Sequence, residues 1–260
     1  MHRICWQSHL YHRWCIWNWS RYVQLLYSRG ASLAISDINP GVAEIVSKAL
    51  EKVESRGTQR CTANVVDVGR SSAVESWIDE AVREFGKLDG CANITGKGER
   101  LCPLGEKTDE DFNQAIDNNL RGAFNCLRAA LKHLSNGASV VNVRSSSGLN
   151  ATPGLSLYSA AKSGIIGMTK AAAQEYGSKG IRINAIAPGL VLTPGMLAAP
   201  GDFILPSIQK TPFQRGADPA ELAKAISYFL VTSPHFRPDL SWSLTVDFWL
   251  DRKVSDRTVA

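Results

Sequence analysis

The sequence lacks any apolar run long enough to cross a lipid bilayer. Its longest apolar stretches, Gly137 to Val143 and Ile181 to Ala187, have the length of a β-strand, whereas a membrane-spanning helix needs about 18 apolar residues. The first 30 residues contain no continuous apolar stretch and no small-residue cleavage pattern, so they do not resemble a signal peptide. These absences predict a cytoplasmic protein that does not act at a membrane.

The sequence also lacks the cysteine patterns of disulfide scaffolds and zinc modules. Its six cysteines are scattered over 260 residues without a C-x-x-C pair, which favours reduced thiols in the core. Near the N-terminus, Cys5, His9, His12 and Cys15 could be drawn as four metal ligands, but their spacing matches no usual zinc pattern. We therefore predict no metal, and metal analysis of the purified chain would test the alternative of an N-terminal metal-binding module.

A basic surface of the kind that binds nucleic acid is also missing. The formal net charge is +5, but four arginines precede the first acidic residue, Asp37, so most of the excess is confined to the N-terminus. A binding surface needs a patch or stripe of basic residues within the domain. The expected partner is therefore a small-molecule substrate and not a nucleic acid.

The chain does contain the pattern of an α/β protein. Beyond residue 30, short β-type runs alternate with helical periodicity, which predicts one doubly wound parallel sheet with helices on both faces. We expect strands at 31–36, 60–66, 88–94, 139–143, 181–187 and 243–246, and helices at 42–54, 71–85, 109–134, 156–176 and 219–230. Ser71 and Ser72 are the expected caps of the second helix, and Gly86 its stop. The apolar stretch from Gly189 to Gly216 is expected to be irregular, either a lid over an apolar substrate or an ordinary surface crossover.

Tyr158 and Lys162 carry the first sign of chemistry. They stand four residues apart, which places both side chains on one face of a helix. A phenol is a useful acid or base near neutral pH only if something lowers its pKa, and an adjacent ammonium does so by favouring the phenolate. The pair therefore predicts a proton-transfer site.

The residues around this pair resemble the core of the classical short-chain dehydrogenase/reductase family. Ser145 lies thirteen residues before Tyr158, and the sequence Ile-Arg-Ile-Asn-Ala-Ile-Ala-Pro-Gly follows the Tyr158 helix. The resemblance extends over about residues 21–247. It implies a single-domain Rossmann fold at 23–250, preceded by an atypical segment at 1–22 and followed by a tail at 251–260.

The resemblance implies a role for each of four residues. Tyr158 would be the general acid/base at the substrate oxygen, and Ser145 would hold and polarise the carbonyl. Lys162 would lower the pKa of Tyr158 and bind the nicotinamide ribose, while Asn119 would help to hold a water in the proton relay. The hydride would belong to the cofactor.

The same resemblance implies a dinucleotide site. Asn93 and Gly96 occupy the turn after the fourth strand, with Thr95 where alanine is usual, and Asp67 and Val68 would flank the adenine. The segment that contacts the nicotinamide amide would contain Pro188, Gly189, Val191 and Thr193. Asp37, at the end of the second strand, would accept from the adenine ribose and repel a 2′-phosphate, so NAD is expected over NADP. The alternative for Asp37 is a turn or helix-capping residue.

The N-terminus departs from the family pattern. A glycine-rich phosphate turn is expected before Arg21, but Trp14 to Trp19 stands there instead, and bulky rings keep a backbone away from phosphates. Tryptophan has one codon, TGG, and reading it one base later gives glycine, so Trp14, Trp17 and Trp19 become G-x-x-G-x-G. We hypothesise that residues before about Val23 are translated in a shifted frame, and we expect the first strand and the phosphate turn to be lost.

Two further positions depart from the family pattern. Phe248 and Trp249 replace a usual glycine pair in the region that joins subunits in the family, where a homodimer or homotetramer would be the implied assembly. Arg144 stands where a small residue is more usual, directly before Ser145.

Two classes of function follow. The leading hypothesis is an NAD(P)-dependent oxidoreductase that interconverts a secondary alcohol and a ketone on a small or medium apolar substrate. The alternative is a non-catalytic or defective relative that acts as a folded interaction or regulatory protein. The intact catalytic residues favour the enzyme, whereas the missing glycine turn favours the alternative.

Overall fold

The computed structural model of the chain describes residues 3–7, 16–55, 57–197, 201–209 and 211–231; for 3–7, 16–19, 194–195, 201–203 and 231 it describes the backbone alone. The strands are β1 (Arg3–Gln7), β2 (Ser32–Asp37), β3 (Cys61–Val65), β4 (Leu88–Asn93), β5 (Leu134–Val143) and β6 (Arg182–Ile186). The α-helices are α1 (Ile16–Ser28), α2 (Val42–Leu50), α3 (Ser71–Phe85), α4 (Asp109–Ala115), α5 (Gly122–Leu131), α6 (Ser147–Asn150), α7 (Ser156–Gly177), α8 (Pro194–Leu197), α9 (Gly201–Gln209) and α10 (Pro219–Val231). A π-helical turn (Ile116–Arg121) joins α4 to α5, and Leu104–Glu106 forms a short 3₁₀ helix.

The six strands form one parallel sheet in the order β3-β2-β1-β4-β5-β6. The strand order reverses direction between β1 and β4, which is the topological switch point of a Rossmann fold. Ligands of such sheets bind at the carboxyl ends of the strands beside this point. The prediction of a doubly wound parallel sheet is confirmed.

The expectation that the first strand is lost is wrong. The backbone of Arg3–Gln7 forms β1 in the middle of the sheet, in register with β2 on one side and β4 on the other. The backbone N–H and C=O groups of a strand between two other strands are paired by main-chain hydrogen bonds. Such a strand can therefore form without the glycine motif that usually follows it. The phosphate turn would follow β1, and residues 8–15 lie outside the described part of the chain.

Helices cover both faces of the sheet. One core contains Ile78 of α3, Leu127 of α5 and Ala172 of α7 against β4 and β5. The other contains Tyr22 of α1 and Ile226 of α10 against the opposite face. A fully buried side chain such as Ile78 or Ile226 contributes about 2 kcal/mol through the removal of its apolar surface from water. Burial on both faces explains why every residue of β2 is buried, with no alternation between a buried and an exposed face.

The predicted helix at 109–134 is interrupted. It begins at Asp109 behind a capping box in which Thr108 and Asp111 satisfy each other's backbone N–H groups. The π-helical turn then inserts one wide turn before α5, which ends at Leu131, and β5 begins at Leu134 and not at 139. Single π-turns within α-helices occur frequently at functional sites.

Other boundaries differ by a few residues. Arg70 occupies the cap position of α3 and makes no capping side-chain bond, so the prediction that Ser71 and Ser72 cap this helix is wrong. The same helix does stop at Gly86, whose φ of 82° suits glycine. The helix predicted at 42–54 ends at Leu50. The stretch from Gly189 to Gly216, expected to be irregular, contains α8 and α9.

Several predictions for the end of the chain lie outside the described residues: the strand at 243–246, Phe248, Trp249 and the tail at 251–260. Among the described helices, none combines the length and hydropathy needed to span a membrane.

Candidate active site

Lys162 forms the centre of the site. It lies on α7, its side chain is 2% exposed, and its Nζ donates to the carbonyl oxygen of Thr95 at 2.9 Å and to that of Val143 at 3.4 Å. These carbonyls lie just beyond β4 and at the end of β5, so the ammonium joins α7 to the carboxyl ends of two neighbouring strands. Burial lowers the pKa of Lys162 to about 7, because removal from water penalises the charged form.

Asn119 and Lys162 converge at Gly96. A Cβ added to Gly96 would lie 2.7 Å from Lys162 Nζ and 3.1 Å from Asn119 Oδ1. Only glycine leaves this space open, because ordinary van der Waals contact begins at about 3.4 Å. The structure therefore brings three of the sequence-predicted residues into one place.

The π-helical turn fixes the side chain of Asn119. Its Nδ2 donates to the carbonyl oxygens of Ala115 at 2.9 Å and Lys97 at 3.0 Å, while its Oδ1 accepts the Lys97 N–H at 3.1 Å. The residue is fully buried. Asn119 thus ties the loop after β4 to the α4–α5 connection, beside the Lys162 ammonium.

Ser145 lies on a tight loop between β5 and α6. Its half-buried hydroxyl oxygen accepts the Ser147 N–H at 3.2 Å, and the neighbouring Ser146 N–H donates to the Pro188 carbonyl oxygen at 2.9 Å. Helix α6 packs closely on α7, because a Cβ on Gly148 would lie 2.8 Å from the backbone carbonyl carbon of Lys162. The loop of Ser145 is therefore held against the helix that carries Tyr158 and Lys162.

Tyr158 lies in the first turn of α7 with a half-buried side chain. The Lys162 Nζ is 5.5 Å from the centre of its ring, one helical turn further along the same face. An ammonium at this range favours the phenolate over the phenol. The predicted Tyr158–Lys162 pairing is present, and the role of each residue stays a prediction.

Three of the predicted adenine-side residues lie in turns at the carboxyl ends of β2 and β3. Asp37 is 3% exposed and its Oδ1 accepts the Asn39 N–H at 2.8 Å, which is the turn geometry given above as the alternative. The Asp67 Oδ1 accepts the Gly69 N–H at 2.9 Å in the same way, and the Val68 side chain is fully buried. Their contacts with a cofactor stay predictions.

Asn93 belongs to a buried polar network, and its contact with a cofactor stays a prediction. Its amide donates to Asn142 Oδ1 at 2.7 Å, and its Oδ1 accepts from the Cys91 thiol at 3.2 Å. Asn142 in turn donates to the Thr169 hydroxyl of α7 at 2.9 Å. This chain of hydrogen bonds fixes β4, β5 and α7 relative to one another.

The segment predicted to contact the nicotinamide amide follows β6. Pro188 is buried, Gly189 and Val191 are half-buried, and Val191 forms a bridge with Ala217. Thr193 caps α8, since its hydroxyl oxygen accepts the Met196 N–H at 3.0 Å. The segment thus runs from the end of β6, beside the Ser145 loop, to the start of α8.

Sequence reasoning missed a buried ion pair beside Tyr158. The Glu99 and Lys107 side chains are each 4% exposed and lie 2.8 Å apart, and Glu99 Oε1 accepts the Tyr158 backbone N–H at 2.8 Å. Both residues lie in the loop after β4, where no motif marks them.

Thr95, noted above as a replacement for alanine, has a hydroxyl that is buried and makes no hydrogen bond with the described residues.

No cluster of three metal-ligating side chains occurs among the residues described, and His9, His12 and Cys15 of the alternative metal site lie outside them.

Comparison with known proteins identifies the family. A family model described as enoyl-(acyl carrier protein) reductase matches residues 20–236. A short-chain dehydrogenase/reductase, ABA4, of Pyricularia oryzae is 38% identical over 66% of this chain and 64% of its own length, so the match spans less than two thirds of that relative. The cis-4-hydroxycyclohexanecarboxylate dehydrogenase of Sinomonas cyclohexanicum is 35% identical over 82% of this chain and 84% of its own length. The chain belongs to the short-chain dehydrogenase/reductase family, and the resemblance places it among enzymes.

Solved structures agree with this assignment. Levodione reductase superposes with a TM-score of 0.79 at 28% identity, covering 92% of both chains. ElxO with NADP bound also superposes with a TM-score of 0.79, at 26% identity, and covers 91% of this chain and 94% of its own. The Rossmann-type fold is therefore shared with proteins of the same class.

Proposed function

We propose that the protein is an NAD(P)-dependent oxidoreductase that interconverts a secondary alcohol and a ketone. The observation that carries this proposal is the buried Lys162, which lies between the carbonyl oxygens of Thr95 and Val143, 5.5 Å from the centre of the Tyr158 ring. A buried, nearly fully enclosed lysine with a lowered pKa is costly to the fold, and such groups are concentrated at functional sites. Its relatives named above are a dehydrogenase and a short-chain dehydrogenase/reductase.

The chemistry assigned to the residues is proton transfer and carbonyl polarisation. In the reducing direction, Tyr158 gives its phenolic proton to the carbonyl oxygen of the ketone as the carbonyl carbon is reduced. In the oxidising direction, the Tyr158 phenolate accepts the hydroxyl proton of the alcohol. The ammonium form of Lys162 stabilises the phenolate. Ser145 donates a hydrogen bond to the carbonyl oxygen and polarises it. Asn119, fixed by the π-helical turn, holds a water beside Lys162 through which the proton is exchanged with solvent.

The residues at the carboxyl edge of the sheet fit a nicotinamide dinucleotide. The open space above Gly96, bounded by Lys162 and Asn119, is a cradle that any Cβ would fill. Asp37 stands at the end of β2, where dinucleotide-binding folds place the acidic residue that accepts from the adenine ribose. When bound, the dinucleotide supplies or accepts the hydride.

For the choice of dinucleotide, we propose NAD, with Asp37 as the determinant. A carboxylate at this position repels the 2′-phosphate of NADP. The solved relative ElxO has NADP bound, so the proposal of NAD rests on Asp37 and not on this relative. A titration with both dinucleotides decides between them.

An apolar substrate is favoured by the stretch from Gly189 to Gly216. Within it Leu197, Leu205 and Phe213 are 59%, 62% and 83% exposed, although their side chains are large and apolar. Exposed apolar groups beside a ligand-binding edge are typical of segments that cover a ligand. We therefore assign this stretch as the lid over a small or medium apolar substrate.

The second candidate is a non-catalytic relative. It is favoured by the tryptophan-rich N-terminus, which replaces the glycine-rich turn that the family uses for phosphate binding. Under this alternative the fold and the buried polar network would be kept while cofactor affinity is lost.

Turnover of a panel of secondary alcohols with NAD and NADP, and of the corresponding ketones with NADH and NADPH, tests the proposal by absorbance at the nicotinamide band. We expect measurable turnover that falls by about 100-fold or more in Tyr158→Phe, because general acid/base groups contribute about 10²–10⁴-fold. Tyr176→Phe, on the same helix, is the matched control and should retain full activity. Turnover that is unchanged in Tyr158→Phe would contradict the assigned mechanism, and a folded chain that neither binds nor uses either dinucleotide would support the non-catalytic alternative.

A further inference from the structure

The first turn of α7 is not capped by its own residues. Its cap residue, Leu155, makes no side-chain hydrogen bond, and the turn contains no acidic residue. The first N–H groups of a helix have no carbonyl partner within the helix, and a partner elsewhere is needed to satisfy them. Tyr158 is the third residue of α7, so its backbone N–H is one of these groups.

Glu99 supplies the missing acceptor from a distant loop. Its Oε1 accepts the Tyr158 N–H at 2.8 Å, although the two residues are 59 positions apart in the sequence. A carboxylate at this place also interacts favourably with the positive, N-terminal end of the helix dipole. The backbone of the tyrosine that carries the chemistry is therefore anchored directly by Glu99.

Lys107 holds Glu99 in place. Its Nζ lies 2.8 Å from Glu99 Oε2 in an ion pair, and it donates hydrogen bonds to the Gly154 carbonyl oxygen at 3.0 Å and to the Arg100 carbonyl oxygen. The two side chains are 4% exposed, so their desolvation is expensive and each charge needs the other beside it. The pair thus connects the loop after β4 with the loop that leads into α7.

The two loops are also in close contact beside the ion pair. Gly154 has φ near +83°, and a Cβ there would lie 2.8 Å from Leu101 Cδ1. The Cys102 N–H donates to the Gly154 carbonyl oxygen at 3.4 Å. This contact leaves the start of α7 little freedom to shift as long as the ion pair is intact.

We propose that Glu99, held by Lys107, is a positioning residue for Tyr158. It acts through the backbone of the first turn of α7 and fixes the point from which the Tyr158 side chain reaches the substrate oxygen. This inference rests on the proposed function for its catalytic part. Misplacement of a reacting group by about 1 Å can cost 10²-fold in rate, so the anchoring of this turn should be visible in kcat.

Two double variants isolate the hydrogen bond from the buried charges. Glu99→Gln with Lys107→Met removes both charges and keeps an amide oxygen that can accept the Tyr158 N–H. Glu99→Leu with Lys107→Met removes both charges and the acceptor. Both variants avoid an unpaired buried charge, which would unfold the site for reasons unrelated to position. Glu75→Ala, which breaks an exposed ion pair with Lys132, is the surface control.

Amide hydrogen exchange at Tyr158 and steady-state kinetics are measured on the parent chain and all variants. We expect the leucine variant to exchange the Tyr158 amide at least about tenfold faster and to lose about 10- to 100-fold in kcat. Its dinucleotide Kd should change less than about threefold, since Glu99 and Lys107 contact the first turn of α7 and the loop before it and make no hydrogen bond with Lys162. The glutamine variant, which keeps the acceptor but lacks Lys107, should lose clearly less than the leucine variant in both measurements, and Glu75→Ala should stay close to the parent.

Equal kcat values and equal exchange rates in the leucine and glutamine variants would overturn the proposal. A parent chain without turnover would count against the proposed function. In that case the exchange comparison still decides whether Glu99 orders the first turn of α7, because exchange needs neither cofactor nor substrate.

Discussion

The buried lysine makes a specific prediction about stability and pH. The pKa of Lys162 is about 7 in the folded protein and about 10.5 in the unfolded chain. Between these values the unfolded state binds a proton that the folded state has released. The free energy of unfolding contributed by this group must therefore rise as the pH rises from 7 towards 10.

The size of the effect follows from the two pKa values. The slope approaches about 1.4 kcal/mol per pH unit where the folded group is neutral and the unfolded group is charged. Integrated from pH 6.5 to 8.5, the gain in stability is about 2 kcal/mol, because roughly the first half unit lies where Lys162 is still mostly protonated in the fold. The thiol of Cys61, whose pKa burial raises to about 12, works in the opposite direction and only above about pH 9.

Denaturant unfolding of the parent chain and of Lys162→Met at pH 6.5 and 8.5 measures this contribution. Methionine matches the length of the lysine stem and does not titrate, so the difference between the two proteins isolates Lys162. We expect the parent to gain about 2 kcal/mol relative to the variant over this interval. The inference that the ammonium is buried would be refuted if the difference in free energy of unfolding between parent and variant did not change with pH. It would also be refuted if the parent lost stability relative to the variant as the pH rises.

Three further predictions follow from close contacts and hydrogen bonds at the site. Gly148→Ala on α6 should lower the free energy of unfolding by about 1–3 kcal/mol in denaturant titrations, because its Cβ would meet the α7 backbone. Gly167→Ala on α7 has open space for the added Cβ and should be neutral or stabilising by up to about 1 kcal/mol. Asn119→Leu should cost about 1–3 kcal/mol by the same assay, since the Lys97 backbone loses its partners; an unchanged midpoint would contradict the anchoring role. Asp37→Ser should improve NADPH binding relative to NADH by roughly tenfold in fluorescence titrations, because the repulsion of the 2′-phosphate is removed, and an unchanged ratio would reject Asp37 as the determinant.

The sheet and most helices could be predicted because both are encoded by local patterns. A mostly apolar run such as Ile181 to Ala187 is typical of a strand covered by helices. A glycine directly after a helical pattern predicts the end of the helix, as Gly86 does for α3. The spacing of Tyr158 and Lys162 fixes their common face for the same reason. These features depend on neighbours within one turn or one strand.

The features that were missed depend on contacts between distant parts of the chain. No local pattern in the sequence predicts the π-helical turn at Asn119. The hydrogen bonds made there join Asn119 to Lys97, which lies in another loop. In the sequence, Glu99 and Lys107 cannot be told apart from ordinary charged residues of a surface loop. Their burial comes from packing against α7, which is distant in the sequence. The place of β1 in the sheet could not be predicted because the glycine motif that should follow this strand is absent from the sequence.

The most direct test of the account is a titration of the chain with NADH and NADPH beside a repaired chain that carries T-G-G-A-S-G-I-G-x-A-T in place of residues 12–22. We expect the repaired chain to bind a nicotinamide dinucleotide. The chain with the tryptophan-rich N-terminus should bind it at least about tenfold more weakly, because bulky residues keep the backbone from the phosphates. Equal and tight binding by both chains would contradict the account of the N-terminus. Absence of binding by both folded chains would contradict its central claim, that the space between Gly96, Asn119 and Lys162 belongs to a nicotinamide site.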